Sequence, residues 1–152
     1  MKAFYFFFLM LFVQTGFAQK TFIFPKLKSQ GSSVQQLTPN NWKLIESTIG
    51  DLNNDGLEDL AAVFESDKVV DEARTYGDNH SEIIRETQKP RILGIFFKDK
   101  ASDSYRLSVQ NNDFILRSEE GGKLGDPLNQ IAIKDQQLYL RFKGGPDWRR
   151  ES

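Results

Sequence analysis

No cysteine occurs among the 152 residues, and there is a single histidine, His80. The first absence excludes disulfide bridges, cysteine zinc sites, a cysteine nucleophile and lipid attachment through a thiol. The second leaves any zinc or catalytic role for His80 without histidine partners, so a solvated residue in a polar loop is the plainer reading. No Gly-x-Ser-x-Gly elbow and no glycine-rich phosphate loop is present. A large excess of one charge is also missing. With Lys2 set aside, 19 basic residues face 21 acidic ones, a balance that suggests neither nucleic acid nor an anionic membrane as partner.

Long hydrophobic runs are missing as well. The longest, Ala3–Val13, has 11 residues, where a bilayer core needs roughly 20. Lys2 precedes this run, and Gly16 and Ala18 stand at the −3 and −1 positions of a cut before Gln19. That three-part layout predicts a secretory signal peptide over 1–18, and hence an exported, periplasmic or extracellular product with no transmembrane anchor. Six of the 13 phenylalanines fall in this leader. The remaining chain, 19–152, suits one domain with one core.

The hydrophobic pattern is mostly that of strands. Short strands are expected at Thr21–Phe24, across "NWKLIESTIGDL" and over Leu57–Glu65. Arg91–Phe97 is the strongest of them, and its unbroken apolar run suggests burial on both faces. "YRLSV", the turn "NND" and "FILR" read as a hairpin, as do "IAI", "KDQQ" and "LYLRF". "KSQGSSVQQ" reads as a linker or loop. The polar stretch Ser66–Lys89 is long for a loop. Short helices are therefore predicted at "DKVVDEART", capped by Ser66 or Asp67, and at "HSEIIRET". The expected class is a mostly-β, sandwich-like single domain with six or seven strands and one or two short helices.

One stretch carries chemistry. In "GDLNNDGLED", Asp51, Asn53, Asp55 and Asp59 occupy positions 1, 3, 5 and 9 of a loop with Gly56 at position 6. Alternate side chains on a tightly turning backbone point to one centre, and calcium takes six to eight oxygens. Gly56 permits the turn, and Leu57 at position 7 needs to offer only its carbonyl. Position 12 of an EF-hand would be Ala62 rather than a bidentate Glu, so Asp59, a water or a distant residue must supply more, and affinity should be modest. The competing reading is a polar β-turn, since Asn-Asn-Asp-Gly is also turn chemistry. The candidate metal ligands are Asp51, Asn53, Asp55, Leu57 and Asp59.

"DLNNDGLEDLAAV" resembles the calcium loop of FG-GAP-type repeats in integrin-like β-propellers. The resemblance implies side-chain ligation by Asp51, Asn53, Asp55 and Asp59 and carbonyl ligation by Leu57. It covers about 15 residues and occurs once; a propeller needs at least about four blades of four strands, so a propeller is not expected. A broader resemblance is to a group of uncharacterised bacterial secreted proteins. It rests on the order of this loop, "KPRILGIFF", Gly121–Gly122, Gly125–Asp126–Pro127 and Gly144–Gly145 followed by Trp148. Members continue past the last motif into further strands, which implies a chain truncated at its C-terminus; no activity comes with the resemblance.

The functional expectation is an exported calcium-binding protein, the calcium structural, with a non-enzymatic binding or interaction role toward a glycan or another envelope protein. Two alternatives stay open: a glycan hydrolase working through paired carboxylates, and a purely structural envelope protein. Trp42, Trp148, Tyr105 and Tyr139 are candidates for stacking on sugar rings; packing in the core or a hairpin is the other reading, preferred for Trp42. Arg149 and Arg150 read as a solvated tail, with an acidic polymer as their other use.

Overall fold

A computed structural model describes residues 22–76 and 82–144. The predicted leader, His80, Trp148, Arg149 and Arg150 lie outside the described residues. The described residues form nine strands: β1 (Gln30–Gly31), β2 (Trp42–Gly50), β3 (Asp59–Ser66), β4 (Val70–Tyr76), β5 (Glu82–Gln88), β6 (Arg91–Asp99), β7 (Ser104–Asn111), β8 (Leu128–Lys134) and β9 (Gln137–Phe142). One helical turn, α1 (Val34–Leu37), and a 3₁₀ segment at Ser118–Leu124, kinked at Gly122, complete the set. The protein is mostly β, and it is not a propeller.

All pairings are antiparallel. Five strands form the main sheet in the order β1-β7-β6-β3-β2, while β4–β5 and β8–β9 are separate hairpins. Every residue of β3 is buried. Its period-two alternation therefore serves two cores instead of one core and solvent. Leu60, Ala62 and Phe64 join Ile92 and Phe96 of β6 on one face, covered by Leu27, Leu37 and the partly buried Phe24, Val34 and Trp42. Val63 and Leu93 face the other way, against Ile115, Ile131 and the inner residues Leu138, Leu140 and Phe142 of β9. The sheet is thus a middle layer between the N-terminal segment and the β8–β9 hairpin. Trp42 packs at the first core, 6.4 Å from Phe24 between ring centroids, in line with the packing expected of it.

Several expectations are corrected. Residues 22–24 are not a strand; the segment is held to β7 by Gln110, whose Oε1 accepts from the Leu27 N–H (2.8 Å) and whose Nε2 donates to the Pro25 carbonyl (2.9 Å). "KSQGSSVQQ" is structured, holding β1 and α1, because the Ser33 hydroxyl caps the Gln36 N–H. Residues 114–117 form no strand, since β7 already lies between β6 and β1 and the Asn111 Oδ1 turns the chain by accepting from the N–H groups of Asp113 and Phe114.

The two predicted helices are instead the strands β4 and β5 of one hairpin. Their alternation was hidden because the buried positions are polar: Glu72, Arg74 and Gln88 all lie inside. Arg117, with no exposure, donates to both oxygens of Glu72 at 3.0 and 2.6 Å. Arg74 pairs with Glu120 at 2.9 Å. Residues 112–120 thus supply ionic partners where an apolar strand would have met an apolar layer.

A third buried network crosses β3 and β6. Arg91 Nη2 and Nε reach Glu65 Oε2 at 2.6 and 2.9 Å, and Nη1 reaches Asp126 Oδ1 and the Leu116 carbonyl, each at 2.8 Å. Burial opposes these charges, but hydrogen bonds and proximity outweigh it. The Arg91 pKa is raised above its ordinary value, and Asp126 is held below the usual carboxylate range. Arg91→Met should cost about 3 kcal/mol in urea denaturation, the low end for breaking a buried pair. Lys43, 2.9 Å from the other oxygen of Glu65, would partly compensate. Lys43→Met, removing a half-exposed partner, should cost no more than about 1 kcal/mol.

Candidate metal site

The loop 51–58 joins the two central-sheet strands β2 and β3, and the Gly50↔Asp59 pair closes its base. Asp51 follows directly on β2, and Asp59 opens β3. The register of the sheet therefore brings the first and last candidate ligands to the same end of the ladder. Gly56 has φ +81° with open space where a Cβ would stand, so its role is conformational. Asn54 also takes a left-handed φ of 61°, which asparagine tolerates better than most residues.

The side chains fold the loop onto its own backbone. Asp51 Oδ2 accepts from the Gly56 N–H at 2.9 Å, and Oδ1 from the Asp55 N–H at 3.2 Å. Asn53 Oδ1 shares that Asp55 N–H at 3.0 Å, and its Nδ2 donates to Asp55 Oδ2 at 2.9 Å. Asp55 Oδ1 accepts from the Leu57 N–H at 2.8 Å. Asp51 and Asn53 are thereby gathered on the Asp55 backbone, with Asn53 also touching the Asp55 carboxylate. Asn53 and Asp55 are exposed, and Asp51 and Leu57 half-buried.

Asp59 stands apart from this cluster in its environment. It has 0% exposure, and its Oδ2 accepts from the Leu52 N–H while Oδ1 accepts from the Lys98 N–H of β6, both at 2.9 Å. Among the described residues, no group of three or more His, Cys, Asp or Glu side chains is gathered in a metal-holding arrangement. Three carboxylates within nine residues repel one another, and backbone N–H groups offset that repulsion here. The donor chemistry still suits calcium: every candidate atom is oxygen, and each carboxylate oxygen has a second acceptor site beyond the hydrogen bond described.

The loop also touches the β8–β9 hairpin, a relation no sequence signal could have indicated. Gln136 Nε2 donates to Asn54 Oδ1 at 3.1 Å across 82 residues. Asp135 and Gln136 form the hairpin turn with φ of 49° and 59°, the left-handed pair that two-residue hairpins favour but usually build with Asn-Gly or Asp-Gly. At the loop's base, a Cβ on Gly50 would lie 2.7 Å from Ile133 Cγ2. Glycine is required there for β8 to pack so closely.

Comparison with protein-family models, with curated proteins and with solved structures finds no match to this chain.

Asp59→Asn should destabilise the fold by about 1–3 kcal/mol, because an amide N–H₂ would face a buried backbone N–H that now has an acceptor. Urea denaturation with and without a chelator checks this. The loss is expected in chelator already, which separates the buried carboxylate from its exposed neighbours, and a larger loss in calcium if Asp59 also holds an ion.

Proposed function

We propose that this chain is an exported protein that binds one calcium ion at the 51–59 loop, and that the ion serves structure in a binding or interaction role rather than catalysis. Asp51, Asn53, Asp55 and Asp59 would hold it through side-chain oxygens and Leu57 through its carbonyl. The observation that carries the reading is the all-oxygen donor set on one short loop, with Asp51 and Asn53 both accepting the Asp55 N–H and Asn53 bonded to the Asp55 carboxylate. The leader-like N-terminal layout supports export to a calcium-rich exterior. The non-catalytic reading is supported by the way these carboxylates accept backbone N–H groups, an arrangement suited to keeping a shape rather than to moving protons. The ion would steady the loop and, through Asn54 and Gln136, the tip of the β8–β9 hairpin.

With a Kd of about 10⁻⁴ M, in the range of extracellular calcium modules, 10 mM calcium would be ~100 Kd and would stabilise the fold by about 2.7 kcal/mol. Thermal unfolding should then shift upward on the order of 8 °C relative to chelator. Asp55→Ala should remove most of that shift, whereas Asn129→Ala on β8 should leave it. An unchanged melt in calcium, or equal effects of the two substitutions, would overturn the reading.

A further inference from the structure

The outward face of the β8–β9 hairpin forms an ordered set of side chains that the calcium loop does not use. Three cross-strand rungs make it up: Gln130↔Arg141, Ala132↔Tyr139 and Lys134↔Gln137. The alternate residues of β9, Leu138, Leu140 and Phe142, point inward against the core. The face is therefore fixed by packing from behind.

Its chemistry is specific. Tyr139 sits at the centre, 48% exposed, opposite an alanine too short to cover the ring. Its hydroxyl donates to Gln137 Oε1 at 3.0 Å, which orients the ring along the strand. A cation and an amide stand at each end. Among the described residues, neither Lys134 nor Arg141 takes part in an ion pair. The hairpin's one acid, Asp135, is in the turn. A hollow of 490 Å³ is lined by Gln130, Ala132, Lys134, Tyr139 and Arg141 of this face together with Leu140 and Phe142.

We propose that this face binds an acidic oligosaccharide, a chain of uronic-acid sugars lying along the hairpin. The inference deepens the binding role proposed above and rests on it, but not on the calcium ion. A pyranose ring offers an apolar C–H face for Tyr139, hydroxyls for Gln130 and Gln137, and carboxylates for Arg141 and Lys134. The end rungs are about 13 Å apart at the rise of an antiparallel strand, so the two cations would meet carboxylates on different rings of one extended chain. An acidic peptide would leave the central ring without a matched partner. Nucleic acid is disfavoured by a face with only two cations on a protein of net charge −1.

Titration calorimetry with hexagalacturonate in chelator tests this on the full exported chain, beside its fully methyl-esterified form and polyglutamate. Binding of the acid form is expected, with the ester and polyglutamate each roughly tenfold weaker or more. Tyr139→Ala should weaken binding by about tenfold, and Arg141→Gln and Lys134→Gln by about fivefold each. All three side chains are at the surface, and unchanged melting would show that the variants fold. No binding, equal binding of polyglutamate or of the ester, or indifference to Tyr139→Ala would each overturn the proposal. Binding in chelator together with a calcium-independent melt would remove the ion and keep the platform. A calcium-dependent melt without uronide binding would do the reverse.

Discussion

The carboxylate of Asp59 ties together three parts of the chain. One oxygen holds the Leu52 N–H at the start of the loop, the other the Lys98 N–H near the end of β6, and its backbone begins the most buried strand of the sheet. A buried acceptor with both oxygens engaged is costly to disturb. The loop therefore leaves the sheet at a set angle. At the same end of the sheet Asn54 meets Gln136 and Gly50 seats Ile133. The loop and the β8–β9 hairpin thus meet beside this buried anchor.

Much of the apolar framework was legible in the sequence. β2, β3, β6 and the β8–β9 hairpin follow from β-branched and aromatic runs, because these strands bury apolar side chains and the period-two pattern reports burial directly. The pattern fails where burial is polar. β4 and β5 carry Glu72, Arg74 and Gln88 inward, so their charged alternation read as helical surface. Partners more than forty residues away, Arg117 for Glu72 and Glu120 for Arg74, help make such burial tolerable. The spacing of Glu72 and Arg74 is strand-like once those partners are known; on its own it is uninformative.

The candidate ligands were legible as a set, since oxygen side chains at alternating positions around a glycine are a local signal. Their unequal surroundings were not. Asp59 looks like its neighbours in the sequence, yet it is fully enclosed while Asp55 is exposed. That difference comes from β6 crossing beside β3, a contact made by residues about forty positions on. The same holds for the outward hairpin face. Tyr139 was recognisable as an aromatic in an alternating strand, but its pairing with Ala132, which leaves the ring uncovered, is a matter of register.

The direct pairing of Glu65 with Arg91 across β3 and β6 has a consequence for alignment. Neighbouring positions on these strands, Phe64 and Ile92, enter the apolar cluster on the opposite face. Sliding one strand by a single residue would turn its side chains over, thrusting a charge among leucines and phenylalanines and stranding its former partner. Two hydrophobic strands buried on both sides could otherwise mate in several offsets with little to choose between them. Here the opposite charges act like a keyed joint, leaving one offset in which the whole ladder closes.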